Sequence, residues 1–206
     1  YVGFLEAQYN LTRSNGSQVG HLRNDWPPRC NCGWRTMGAP PEPSLMTSVG
    51  YINGLRMMAD MAEAVADAES NNGAVYRQRY QARLKEFHAA FFNNSTTSTY
   101  GRGTQEEQAM ALWIGAPPTA SIAAAVGAQL AGQINSLIEL TQNATSSATK
   151  PKQGVDFVGG VGVRYLFEAL ARTGTQAATG QAATALALAL KTTYPGYGYM
   201  FANEAE

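Results

Sequence analysis

Cysteine and histidine are scarce in this 206-residue sequence, with two of each, at Cys30, Cys32, His21 and His88. That is too few in any sensible spacing for a structural zinc site, which takes about four such ligands, and no metal or cofactor is expected. A bridge between Cys30 and Cys32 would close a small, strained ring, so free thiols and pairing to cysteines elsewhere both stay open. Charge is sparse too: charged residues make up 15% of the chain and the net charge is +0. The clustered basic face that nucleic acid requires is missing, as is an attraction to anionic membranes. No apolar run reaches the roughly 18 residues of a transmembrane helix, because Gly127 and Gln129 interrupt the best candidate. Alternating strand patterns are nearly absent.

What is present is a 45% hydrophobic composition, enough for a sizeable core within one domain. One stretch stands apart from the Ala-, Leu- and Met-rich remainder. Arg23 to Thr36 holds Asp25, Trp26 and Trp34, three arginines, Pro27 and Pro28 within fourteen residues. Consecutive prolines lack donors and force Trp26 out of the helical region, so this is a loop. Asp25 and Trp26 together offer a hydrogen-bond acceptor and a flat apolar face, the two things a sugar ring requires. Packing of both tryptophans beneath the loop is the alternative. Asn-x-Ser/Thr sequons at Asn10, Asn15, Asn93, Asn94 and Asn143 fall in expected loops and point to a secreted, glycosylated protein.

Hydrophobic periodicity predicts six or seven helices. The first runs from about Ser44, as N-cap, to Ala68, with Leu45, Val49, Ile52, Leu55, Met58, Ala62 and Val65 on one face, and Asn71-Asn72-Gly73 stops it. The second runs from Ala74 to Phe92 with a stripe of Tyr76, Tyr80, Leu84, Phe87 and Phe91. Its Arg77, Arg79, Arg83 and Lys85 form a solvated face, and His88 is packed or exposed rather than a ligand. A loop over 93–103 leads to a short helix from Gln105 to Ile114 with Met110 and Trp113 inward. Thr119 caps a helix to about Leu140 on which Ile122, Val126, Leu130, Ile134 and Leu137 align. After a polar loop over 141–154, Val155 to Gly160 turns into a helix ending near Arg172. Those glycines permit a tight turn and lack the strand and Lys-Ser/Thr of a phosphate loop. Thr175 to Leu190, nearly uncharged, is expected to be a buried last helix. Paired helices with loops after residues 23, 93 and 141 predict an all-α helical toroid, an (α/α) barrel.

In order along the chain, Asn24-Asp25-Trp26, the helix with Ser48 and Tyr51-Ile52, Tyr100 to Leu112, Val155 to Gly159, and Tyr194-Pro195-Gly196-Tyr197-Gly198-Tyr199-Met200 resemble the catalytic domain of bacterial and fungal α-L-rhamnosidases, the six-hairpin glycosidases of family 78. The sequence departs from the family pattern at Asn24 (usually Gly), Glu106 (usually Thr) and Tyr197 (usually Trp). The resemblance implies an (α/α)6 toroid, of which residues 1–206 are roughly half, and inverting hydrolysis of a rhamnose-containing carbohydrate. It also implies that the acidic and Trp-Glu motifs carrying the general acid and base lie outside residues 1–206. No catalytic residue is therefore expected here, and these residues alone are expected to be inactive. Asp25, Trp26, Asp156 and Tyr197 are the expected substrate contacts. Two other readings remain: a non-catalytic helical carbohydrate-binding or scaffold protein, and a six-hairpin glycosidase for another sugar.

Overall fold

In a computed structural model of the chain, residues 43–65, 72–94, 98–141, 163–174 and 181–192 are described. They form six helices, α1 (Pro43–Val65), α2 (Asn72–Phe91), α3 (Gln105–Trp113), α4 (Ala120–Thr141), α5 (Val163–Gly174) and α6 (Gln181–Leu190). Between α2 and α3, β1 (Phe92–Asn93) and β2 (Thr99–Tyr100) pair antiparallel, with Phe92 opposite Tyr100 and Asn93 opposite Thr99. No helix among the described residues is long and apolar enough to cross a membrane.

Side-chain contacts fix the direction of each helix. Arg77 on α2 bonds Asp60 and Glu63 near the end of α1, while Arg83 reaches back to Tyr51, so α1 and α2 form an antiparallel hairpin. Leu45 at the start of α1 lies against the turn that precedes α3, where a Cβ on Gly101 would stand 3.0 Å from its Cδ1. Farther along α1, Arg56 reaches the Trp113 carbonyl at the end of α3. Late in α5, Arg172 donates to that same carbonyl at 3.0 Å. Helices α1, α3 and α5 therefore run parallel. Gln133, late in α4, donates to the Gly103 carbonyl just before α3, so α4 runs back. Gln181 at the start of α6 reaches Ala124 at the start of α4, which sets α6 parallel to α4. The result is an inner row of α1, α3 and α5 and a return row of α2, α4 and α6, with all inner helices starting at one end of the molecule.

The core follows from that arrangement. α3 lies between α1 and α5 and against α4, and every residue from Glu107 to Trp113 is buried. Leu45, Ile52, Leu55, Val126, Leu130, Ile134, Leu166, Leu170 and Leu188 close around it. The helix stripes expected from periodicity are found on α4, on α2 through Phe87, and on α1 from Leu45 to Leu55; farther along α1 the expected stripe opens to solvent, with Val65 78% exposed. Thr119 caps α4 as expected, its Oγ1 accepting from the Ile122 N–H at 3.2 Å.

Four expectations require correction. α1 begins at Pro43, where a proline is tolerated in the first helical turn, and Ser44 is inside the helix with its carbonyl accepting from Ser48 Oγ. Asn72 and Gly73 open α2 rather than merely ending α1. Gly73 is buried there, and a Cβ on it would meet Glu63 Cγ at 2.8 Å, so the hairpin closes only over a residue without a side chain. The 93–103 segment is not all loop but contains the β1–β2 pair. Finally, α6 is only half covered: Gln181, Thr184 and Leu188 are buried, whereas Leu186 and Leu190 are 59% and 67% exposed.

Candidate functional site

The most elaborate local structure among the described residues is the turn into α3. Gly101 and Gly103 adopt φ of 57° and 78°, values that residues with side chains rarely tolerate. Gly101 donates its N–H to the Phe91 carbonyl and Gly103 to the Tyr100 carbonyl, which closes the chain tightly above the helix. Thr104 is the N-cap of a full capping box: its side chain accepts from the Glu107 N–H, and Glu107 accepts from the Thr104 N–H. The Glu107 carboxylate is completely buried. It also accepts from the Arg102 N–H at 2.8 Å and from Arg102 Nε at 3.3 Å. Gln108 accepts from the Tyr100 N–H at 3.0 Å. The N–H groups of Tyr100, Arg102, Thr104 and Glu107 thus each have a side-chain acceptor, as orphan donors at a helix start require.

Aromatic groups back this turn. Tyr100 is 0% exposed, packs against Phe87 and Phe92, and its hydroxyl pairs with His88 Nδ1 at 2.7 Å. Burial pushes the Tyr100 phenol up and the His88 imidazole down from their ordinary values. A histidine held neutral by burial stabilises the fold above its unfolded pKa of about 6.5; as pH falls through the lower folded pKa, that stability is lost. The melting temperature is therefore expected to drop as pH falls below about 6.5, and His88→Asn to flatten that dependence. Equal slopes for the two proteins in calorimetry would remove His88 from the account.

In front of the turn, between it and α4, lies a cavity of about 430 Å³. Gly103 and Gln105 form one wall; Gln129, Gly132, Gln133 and Ser136 form the other. The spacing of those four places them on one stripe of α4. At the opposite end of α3, Trp113 Nε1 donates to Glu168 Oε2 at 2.7 Å. There Arg56 and Arg172 satisfy the Trp113 carbonyl, and Tyr80 satisfies that of Ile114 at 2.7 Å. This end is a helix terminus closed by donors rather than an open site. No cluster that could hold a metal ion occurs among the described residues.

The expected substrate contacts Asp25, Trp26, Asp156 and Tyr197 lie outside the described residues, as do Cys30 and Cys32. The segments preceding α1 and α5 in the chain contain Asp25, Trp26 and Asp156. The sequence reading gave no role to Gln105 or Gln133. The spacing Thr104-x-x-Glu107 was the signal for an ordered turn into α3.

A family model for the bacterial α-L-rhamnosidase six-hairpin glycosidase domain matches residues 5–206. The chain belongs to this family. Its six-hairpin architecture is all-α, in agreement with the parallel inner row and antiparallel return row. The crystal structure of native α-L-rhamnosidase from Aspergillus terreus is similar in fold, with a TM-score of 0.57 and 19% sequence identity over 79% of this chain. This six-hairpin domain chain spans 16% of the length of that structure. No curated protein matches it.

Proposed function

We propose that this six-hairpin domain serves an inverting glycoside hydrolase that removes terminal α-L-rhamnosyl residues from glycosides or polysaccharides. The observation that carries the proposal is the match of the rhamnosidase family model to residues 5–206. In such a reaction one carboxylic acid protonates the leaving oxygen while a carboxylate about 6.5–9.5 Å away activates water on the opposite face. By the family resemblance, that pair is supplied outside residues 1–206. The role of this chain is to shape and hold the sugar pocket.

Chain connectivity supports placing that pocket where the inner helices begin. Asp25 and Trp26 precede α1, and Asp156 precedes Val163, the first residue of α5. Tyr197 follows α6, which runs back toward the end from which an inner helix would start. Asp25 accepts sugar hydroxyls and Trp26 supplies the apolar platform, with Asp156 and Tyr197 as further contacts. Secretion and glycosylation accompany this reading; Asn93 and Asn94, both in sequons, are exposed.

The test uses the whole protein containing this domain. It is expected to hydrolyse an aryl α-L-rhamnoside with inversion, seen by following the anomeric proton of the first-formed sugar. Asp25→Asn is expected to fold normally and to lose roughly ten- to hundred-fold in kcat/KM, since each hydrogen bond to a charged acceptor is worth about 1.5–3 kcal/mol and about 1.4 kcal/mol is tenfold. Unchanged kcat/KM at unchanged melting temperature would remove Asp25 from the site. Turnover of another glycoside in place of the rhamnoside would overturn the choice of sugar.

A further inference from the structure

We infer that the cavity between the turn into α3 and helix α4 binds a sugar ring of the glycoside through the amide oxygens of Gln105 and Gln133. This inference rests on the reading of the domain as part of a glycosidase, and it assigns a site to residues that the resemblance left without a role. Gln105 is 4% exposed, and its Oε1 has no hydrogen-bond partner. The Oε1 of Gln133 is likewise buried and without a donor, while its Nε2 is held by the Gly103 carbonyl at 2.9 Å. Gln108, behind Gly103, spends its oxygen on the Tyr100 N–H and keeps a buried Nε2 without an acceptor. Gln105 and Gln133 line the cavity, so two unused acceptors belong to its wall, while the unused donor of Gln108 lies behind the turn. Buried polar groups are almost always paired, so an unused set beside an open cavity marks a place for a partner.

The chemistry of the set selects that partner. An anion brings only acceptors and would meet two amide oxygens. A cation would suit the amide oxygens but would stand at the positive N-terminal end of α3. A hydroxyl both donates and accepts, and a sugar ring presents several. The cavity, about 430 Å³, is far larger than the roughly 30 Å³ share of a single water and falls in the range of roughly 300–1,000 Å³ of small-molecule sites. The terminal torsion of a glutamine amide is soft, so a small rotation turns Oε1 of Gln105 toward a hydroxyl in the cavity. Gly132 keeps the space open: a Cβ added there meets nothing within 4 Å.

The test is titration of L-rhamnose, and separately of D-glucose, into the whole protein containing this domain, ¹⁵N-labelled on its glutamine side chains, following the amide signals of Gln105 and Gln133. Saturable shifts of both with L-rhamnose are expected. Two variants separate binding from folding. Gly132→Leu fills the cavity while replacing a poor helix former, and Gln105→Met removes an unpaired buried oxygen at similar volume. Each is expected to keep or raise the melting temperature and to weaken sugar binding by about tenfold or more, equivalent to about 1.4 kcal/mol. Saturable shifts with D-glucose alone would support the pocket and overturn the rhamnoside reading. Absence of shifts with either sugar, or wild-type affinity in Gly132→Leu, would overturn the pocket and leave the family assignment standing.

Discussion

Trp113→Ala is expected to destabilise the domain by about 3–5 kcal/mol, the range for removing a buried tryptophan. For a chain of this size that corresponds to a fall in melting temperature of roughly 6–20 °C, at about 2–4 °C per kcal/mol. The indole is 3% exposed at the end of the most buried helix. Its edge meets Tyr165 with ring centroids 4.7 Å apart, and the Arg56 guanidinium lies 4.6 Å from its own ring centre. Its Nε1 ties α3 to Glu168 of α5. Truncation removes contacts to α1 and α5 together, so the inner row loses its central spacer. Trp113→Phe keeps most of the ring and gives up the hydrogen bond to a half-exposed carboxylate, which costs about 1–2 kcal/mol. Chemical denaturation of both variants checks this ranking. A loss below about 1 kcal/mol for Trp113→Ala would mean that the inner row is held elsewhere.

How far the fold was legible follows from where its information is stored. The core stripe of α1 and the Thr119 cap are local patterns, and both were readable from spacing. The direction of the helices was legible only as a preference for hairpins; their parallel inner row emerges from long-range contacts such as Arg56 to Trp113. The β1–β2 pair was missed because two-residue strands carry no periodicity. α6 was misjudged because Ala and Leu make it apolar all round, whereas packing against α4 and α5 covers only the face of Gln181, Thr184 and Leu188. The candidate cavity was invisible for a different reason. Gln129, Gly132, Gln133 and Ser136 look like an ordinary solvated stripe on α4 until the Gly103 turn docks against it. The loop with Asp25 and Trp26, by contrast, announces itself by composition, but it lies outside the described residues, so its chemistry rests on the family resemblance.

The turn into α3 is held by one buried carboxylate, and its loss is the second large effect. Glu107→Ala is expected to cost about 2–6 kcal/mol, since two backbone donors lose their acceptor and each donor left unpaired in the interior costs about 1–3 kcal/mol. The backbone N–H groups of Arg102 and Thr104, now donating at 2.8 and 3.3 Å, would lose their acceptor. Glu107→Gln is expected to be damaging as well, because the amide turns one accepting oxygen into a donor that faces other donors. Arg102→Ala separates the two possible origins of the effect. It removes the guanidinium, which is half exposed and of the kind worth at most about 1 kcal/mol, but keeps the backbone N–H of residue 102. If the turn is organised by backbone donors, Arg102→Ala is nearly silent and both Glu107 variants are severe. If the ion pair dominates, all three variants fall by similar amounts. Glu107→Gln should also disturb sugar binding, because Gly103 and Gln105 flank the capped turn, whereas Arg102→Ala should leave it intact. Parallel melts and sugar titrations of the three variants decide between these outcomes.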